Sequence, residues 1–144
     1  MKKKLSCVLL VDDDEPTNFL NRIIIEEAEC TNRIEVADSG PLALAYLQKS
    51  GLPDAQGIIY PVPDLVFLDI NMPAMDGWEF LARYDQLQVE QKALAVVVVM
   101  LTTSLNPEDE KKARGIPYIS GFRCKPLTAA MLDNLLRLYF PDYF

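Results

Sequence analysis

Three short apolar runs stand out in the pattern of hydrophobic and polar residues along the chain. They cover residues 7–11, 65–68 and 93–101, and a polar residue follows each of them. Because they are rich in Val and Leu and do not alternate with polar residues, they are typical of strands buried on both faces of a parallel sheet. Two weaker strands are predicted at residues 34–36, which alternate like an edge strand, and at residues 118–122.

The segments between these runs carry helical signals. In the first segment, Pro16 suits the opening turn of a helix. Apolar residues then recur at helical spacing and predict its apolar stripe: Phe19, Leu20, Ile23, Ile24 and Ala28. The other four helices are predicted from residues suited to their first turns: Ser39, Asp76 with Glu79, Asn106 with Pro107, and Thr128. Strand and helix therefore alternate five times, which predicts an α/β fold with a parallel sheet between two helix layers.

Length and composition fit one folded domain over residues 1–144. The chain has 144 residues, of which 50% are hydrophobic and 24% are charged, as is ordinary for a globular protein. No apolar run approaches the roughly 20 residues that span a bilayer, and the run that follows Lys2, Lys3 and Lys4 is too short for a signal peptide. We therefore expect a single cytoplasmic domain with no output domain and no membrane insertion.

Charge and rare residues exclude several function classes. The formal net charge of −7 argues against nucleic acid as a partner, because phosphate contacts need clustered Lys and Arg. The absence of histidine removes the commonest metal ligand and the commonest general base. Cys7, Cys30 and Cys124 lack CxxC spacing, and we expect them to be small core residues in a reducing compartment.

Acidic residues follow two of the predicted buried strands. Asp12 and Asp13 come after the first run, and Asp69 follows the run at 65–68. In open α/β sheets, ligands bind at the carboxyl ends of the strands. An acidic cluster is often only a solvated loop or a set of helix caps, and that reading stays open for each residue alone. Three carboxylates that converge would repel one another, and a hard cation such as Mg²⁺ would relieve this repulsion.

Four segments resemble the signatures of response regulator receiver domains. They read VLLVDDD at 8–14, LDINMPAMDG at 68–77, LTTS at 101–104, and Lys125-Pro126. They occur in the order and at the spacings of that family, and together they span nearly the whole chain. The resemblance implies a flavodoxin-like three-layer sandwich, with a five-stranded parallel sheet in the order 2-1-3-4-5 and five helices.

The resemblance also implies roles for the acidic residues. Asp69 matches the residue that accepts a phosphoryl group from a sensor histidine kinase or a histidine phosphotransfer protein. Asp13 and Asp69 would bind Mg²⁺ directly, together with the main-chain carbonyl of Asn71. Asp12 would contact the same ion through a bound water molecule.

Four further positions match the family. Lys125 would contact the phosphoryl oxygens, and the Thr102 hydroxyl would bind the phosphoryl group after transfer. Phe122 matches the aromatic switch position, and the resemblance implies a cis peptide before Pro126. The alternatives for the first three are a solvated lysine, a threonine that favours a strand end, and an edge-strand core residue.

Three departures from the family pattern concern the surroundings of the site. Thr103 stands where many receivers have Ala, and its larger side chain would restrict access to the phosphoryl group. Asp14 adds a third acid beside the pair and could instead cap a helix. Asn71 and Ser104 vary too much among receivers to predict a phosphoryl lifetime.

The resemblance therefore predicts a phosphorylation-activated signalling switch that catalyses only its own phosphotransfer and autodephosphorylation. Its signal would leave through a downstream protein target or a homodimer, at the face formed by the fourth helix, fifth strand and fifth helix. One alternative is a pseudo-receiver that has lost phosphorylation. A second is a phosphatase with an aspartyl nucleophile. Such enzymes have a second Asp as general acid two residues after the nucleophile, where this chain has Asn71, which cannot donate a proton in that way. A third, a nucleotide-binding flavodoxin-like protein, lacks a glycine-rich phosphate loop after the first strand.

Overall fold

Strands and helices alternate throughout the part of the chain described by the computed structural model, which comprises residues 4–91, 96–103, 106–117 and 119–144. The strands are β1 (Val8–Val11), β2 (Ile34–Ala37), β3 (Leu65–Leu68), β4 (Val97–Thr102) and β5 (Ile119–Cys124). The helices are α1 (Glu15–Ala28), α2 (Gly40–Lys49), α3 (Gly77–Gln91), α4 (Pro107–Arg114) and α5 (Ala129–Tyr139). The predicted α/β alternation is confirmed.

The five strands form one parallel sheet in the order β2-β1-β3-β4-β5, which confirms the predicted flavodoxin-like topology. The predicted bounds differ most at the last two strands. The predicted fourth strand began at Ala93, but residues 93–95 lie outside the described residues, and β4 continues through Thr102. Tyr118, the predicted start of the fifth strand, also lies outside them, and β5 runs two residues further than predicted, to Cys124.

Side chains alternate across the buried strands and build one core on each face of the sheet. In β1, Leu9 and Val11 contribute to the core shared with α2, α3 and α4. Val8 and Leu10 contribute to the core shared with α1 and α5. All four are at most 1% exposed, because a strand between two helix layers has no solvent-facing side. This arrangement is the predicted three-layer sandwich.

The predicted apolar stripe of α1 is confirmed only in part: Ile24 packs against the core shared with α1 and α5, but the start of the stripe is wrong. Phe19 is 63% exposed and Leu20 is 59% exposed. The buried residues of the helix are Asn18, Asn21 and Ile25. The helix is turned so that its first half presents amide side chains to the end of the sheet where β1 gives way to Asp12. The Asn18 amide nitrogen donates a 2.8 Å hydrogen bond to the Asp12 carbonyl there, which an apolar side chain could not do.

Each helix begins behind a side chain that accepts a hydrogen bond from a main-chain N–H in the first turn. The pairs are Asp14 with Thr17, Ser39 with Leu42, Asp76 with Glu79, Asn106 with Glu108, and Thr128 with Met131. The four capping residues predicted from the sequence are confirmed. Asp14 is also a helix cap, and its hydrogen bonds from the Thr17 hydroxyl and amide lower its pKa.

All three cysteines are free thiols, but they are not all core residues. Cys7 and Cys30 are buried, as predicted, and burial raises the pKa of Cys7 to about 11. The prediction is wrong for Cys124, which is exposed. Cys124 is the last residue of β5, and this strand lies at the edge of the sheet.

The chain end after α5 folds back onto the domain. Phe140, Tyr143 and Phe144 are partly buried and pack against the core shared with α1 and α5. These aromatic residues therefore contribute to the hydrophobic core as well as to the surface. None of the helices in the described ranges has the length and apolar character needed to cross a membrane.

Candidate functional site

The carboxyl ends of β1 and β3 bring acidic side chains together. The two strands pair in register, with Val11 opposite Leu68, so the residues that follow them are neighbours. One carboxylate oxygen from each of Asp12, Asp13 and Asp69 lies within 4.8 Å of the other two. Asp12 and Asp69 are only 4% and 6% exposed, whereas Asp13 faces solvent. The cluster is thus buried on one side and open on the other.

Lys125 reaches this cluster from the loop that follows β5. Its ammonium nitrogen lies 2.6 Å from Asp12 Oδ2 and 3.5 Å from Asp69 Oδ1. The Lys125 side chain is 14% exposed, so the solvated-lysine alternative is wrong. A cis peptide joins Lys125 to Pro126, and the Lys125 amide donates a 2.8 Å hydrogen bond to the Thr102 carbonyl.

Burial and charge shift the titration of the two central groups. Burial raises the pKa of Asp69, and the Asp12 charge adds to this increase; Lys125 and a main-chain hydrogen bond from Asn71 offset it only in part. Burial lowers the pKa of Lys125, but its hydrogen bond to Asp12 and the charges of Asp12 and Asp69 outweigh this, so its pKa is raised overall. Lys125 therefore stays protonated at neutral pH.

The donor set fits a hard divalent cation. Among the described side chains, three carboxylates converge here, and one ammonium group contacts two of them, Asp12 and Asp69. Carboxylate oxygens are the ligands that Mg²⁺ prefers, and this ion also keeps several waters. Exposed Asp13 leaves room for such waters, because one side of the cluster is open to solvent.

Every polar group of Asp12 has a partner, which fixes its orientation. Its Oδ1 accepts a hydrogen bond from the Asp14 amide at 2.9 Å, and its Oδ2 pairs with Lys125. Its main-chain nitrogen donates to the Ala37 carbonyl, and its carbonyl accepts from Asn18. Sequence reasoning missed Asn18 and Asn21. Asn18 and Asn21 lie at helical spacing from Ile25. An apolar stripe is recognised by its apolar residues, so these polar side chains gave no sign that they would be buried.

The two predicted switch residues lie on neighbouring strands. Thr102 is the last residue of β4 and is fully buried. Phe122 is half-buried on β5, opposite Met100 of β4. It packs against the core shared with α2, α3 and α4 and lines a cavity of about 380 Å³ between α4 and β5. Phe122 therefore has open space on one side and core on the other.

Gly77 permits the close approach of α3 to the loop that carries Asp69. A Cβ atom at Gly77 would lie 2.7 Å from the Asp69 carbonyl oxygen and 2.9 Å from Ile70 Cα. Both atoms belong to the main chain and cannot move aside independently. The Gly77 amide also donates a 2.7 Å hydrogen bond to the Ile70 carbonyl. The glycine is needed here for close packing, and a side chain would displace Asp69.

Comparison with known proteins places this architecture in one family. The family model of the response regulator receiver domain matches residues 8–137. A two component response regulator from Cytophaga hutchinsonii has a similar structure, with a TM-score of 0.81 and 33% identity over 96% of this chain and 99% of that one.

Curated relatives agree with this comparison. A probable methanogenesis regulatory protein, FilR2 of Methanothrix harundinacea, is 32% identical over 121 residues, which are 84% of this chain and 72% of FilR2. The response regulator Rcp1 of Synechocystis is 33% identical over 102 residues, which are 71% of this chain and 65% of Rcp1. The chain therefore belongs to the response regulator receiver domain family of two-component signalling proteins.

Proposed function

We propose that phosphorylation of Asp69, by a sensor histidine kinase or a histidine phosphotransfer protein, switches this chain between two signalling states. Domains of this family are generally signalling switches and not classical enzymes. The observation that carries the proposal is the position of Asp69, a buried carboxylate beside both Asp12 and Lys125 at the carboxyl end of the sheet. The Lys125 ammonium group lies beside this carboxylate, and Asp13 forms the exposed side of the same cluster.

The proposed reaction is a direct phosphoryl transfer. A carboxylate oxygen of Asp69 attacks the phosphorus of a phosphohistidine, and the phosphorus–nitrogen bond breaks as its electron pair returns to the imidazole. The product is an acyl phosphate. Lys125 already lies 3.5 Å from Asp69 Oδ1, so its ammonium group can neutralise the new phosphoryl oxygens by shifting away from Asp12.

Mg²⁺ is the proposed cofactor. Asp13, Asp69 and the main-chain carbonyl of Asn71 would hold it directly, and Asp12 would do so through water. When bound, the ion supplies charge neutralisation at the phosphoryl oxygens. This role matches the excess of carboxylates over ammonium groups in the described cluster.

The proposed output runs from Thr102 to the face formed by α4, β5 and α5. The Thr102 hydroxyl would bind the phosphoryl group, and Phe122 on the adjacent strand would move into the core. Two observations support this route. Ala113 is the buried residue of α4, so few apolar contacts hold the helix. The cavity beside Phe122 also leaves room for rearrangement.

We propose a downstream protein, or a second copy of the chain, as the partner at this face, and the cytoplasm as its location. Nucleic acid does not suit it, because the chain is strongly acidic, with a formal net charge of −7. Three free thiols agree with a reducing compartment.

Acetyl phosphate with Mg²⁺ should add one phosphoryl group to the protein, measured by intact-mass spectrometry. Asp69→Asn should abolish the mass increase, because an amide cannot act as the nucleophile. Asp76→Asn is the matched control: it lies in the same loop, and Asn caps a helix as well as Asp does. It should leave the mass increase unchanged. A mass increase in Asp69→Asn would refute Asp69 as the residue that accepts the phosphoryl group. If the wild type showed no mass increase, the pseudo-receiver alternative would be favoured.

Substitution of neighbouring acids should separate metal binding from helix capping. Asp13→Ala should weaken Mg²⁺ binding at least about 10-fold in a calorimetric titration, because it removes a direct ligand. Asp14→Ala should leave the affinity nearly unchanged but lower the free energy of unfolding, because Asp14 caps α1. Equal Mg²⁺ affinity in Asp13→Ala and the wild type would contradict the proposed ligand set.

The metal-free protein should lose stability as Asp69 ionises. The pKa of Asp69 is raised in the folded state, so the folded state binds its proton more tightly than the unfolded state does. The free energy of unfolding should therefore fall as pH rises from the unfolded pKa through the folded pKa. In EDTA at pH 7, Asp69→Asn should raise that free energy by up to a few kcal/mol.

Urea unfolding at pH 7 and at pH 4 measures this effect. The difference between Asp69→Asn and the wild type should shrink at pH 4, where Asp69 is more protonated. Added Mg²⁺ should also reduce it at pH 7, since the ion neutralises the wild-type cluster. If Asp69→Asn were less stable than the wild type in EDTA at pH 7, the proposed charge repulsion would be wrong.

Hydrogen exchange should locate the output face. Beryllofluoride, a phosphoryl mimic, should change exchange most between residues 102 and 125, because these residues connect Thr102, α4 and Phe122. Asp69→Asn should show no such change under the same conditions. The largest change falling on α1 instead would mean that the signal leaves through another face.

A further inference from the structure

One buried polar atom beside the acidic cluster lacks a hydrogen-bond partner among the described protein groups. It is Oδ1 of Asn18, whose residue is 6% exposed. The Nδ2 atom of the same amide donates a 2.8 Å hydrogen bond to the Asp12 carbonyl. This bond fixes the amide orientation, because the reverse orientation would place Oδ1 against another acceptor. A buried acceptor that lacks a hydrogen bond destabilises the folded state.

A small cavity lies beside Asn18 at the floor of the acidic cluster. Its polar lining consists of Asp12, Asn18, Asn21 and Asp69, and apolar residues of β1, β3 and β4 complete it. The volume of this cavity is about 10 Å³, which is close to the minimum that one water molecule needs. The cavity therefore joins Asn18 to the two buried carboxylates, Asp12 and Asp69.

The chemistry of the lining selects the ligand. Asn18 Oδ1 and the carboxylates of Asp12 and Asp69 all accept hydrogen bonds, so the ligand must donate at least two. It must also be no larger than one water molecule. Water meets both conditions, and the Asn21 amide supplies a polar partner that can donate to the water oxygen.

We propose that Asn18 is a positioning residue for the acidic cluster and holds one buried water molecule that donates hydrogen bonds to Asn18 Oδ1 and to a carboxylate of Asp12 or Asp69. Its amide nitrogen fixes the main chain at Asp12, immediately before Asp13. Its amide oxygen accepts a hydrogen bond from the proposed water, which donates its second hydrogen bond to a carboxylate of Asp12 or Asp69. The consequence for metal binding rests on the proposed function; the water site does not.

A high-resolution crystal structure of the metal-free wild type tests the water site directly. Electron density for one ordered water should lie within hydrogen-bond distance of Asn18 Oδ1. Asn18→Leu, which has nearly the same shape but no polar side-chain atoms, should lose that density. No ordered water beside Asn18 Oδ1 in the wild type would overturn the proposal.

Calorimetric Mg²⁺ titration tests the positioning role. Asn18→Leu should lower Mg²⁺ affinity by about 10-fold, the usual effect of removing a group that orients a metal ligand. Phe19→Ala is the control, because Phe19 is the next residue on α1 and is 63% exposed. This variant should bind Mg²⁺ with the affinity of the wild type. Unfolding measured in parallel separates the two effects, since a merely structural role would lower stability and leave the affinity of the folded protein unchanged.

The outcomes separate this inference from the proposed function. Unchanged Mg²⁺ affinity in folded Asn18→Leu would overturn the positioning role. If that variant does not fold, Asn18→Ser takes its place, since it removes the amide that bonds to the Asp12 carbonyl. A wild type that holds the water but neither binds Mg²⁺ nor accepts a phosphoryl group would support the water site and refute the proposed function.

Discussion

The Lys125 ammonium group lies between two buried carboxylates, 2.6 Å from Asp12 and 3.5 Å from Asp69, while Asp13 adds a third carboxylate on the solvent side. Buried like charges are costly unless counter-charges and hydrogen bonds compensate them. Neighbouring elements contribute this compensation: β5 leads to Lys125, and the loop before α3 supplies the N–H of Asn71. The Asn18 amide of α1 instead holds the main-chain carbonyl of Asp12 in place. The cluster stays under-neutralised, and this excess of negative charge supports the proposed binding of a divalent cation.

This constraint explains why α1 buries amides and exposes large apolar residues. A helix packed against the middle of the sheet would bury Leu or Ile, as α5 does with Leu132 and Leu135. The first half of α1 instead faces the end of β1, where the Asp12 carbonyl needs a donor. The first half of the helix therefore donates a hydrogen bond to the site through Asn18. Further along the helix, Ile25 packs in the apolar core.

The two sides of the site differ in how firmly they are held. Asp12 has a partner for each polar group, so the acidic end of β1 is rigidly placed. On the other side, Ala113 is the buried residue of α4, and Phe122 is half-buried beside open space. A switch needs both properties, because the chemistry requires fixed groups and the response requires an element that moves at low cost.

The sequence alone determined the strand and helix order, the helix caps and the residues that meet in the acidic cluster. It could do so because buried strands, capping residues and the family motifs are local patterns, and parallel strands bring their ends to one edge. The tertiary structure alone decided which face of α1 is buried, that Cys124 is exposed, and that Asn18 supports Asp12. Those outcomes depend on which groups from distant parts of the chain become neighbours, and helical spacing by itself contains no information about what lies opposite.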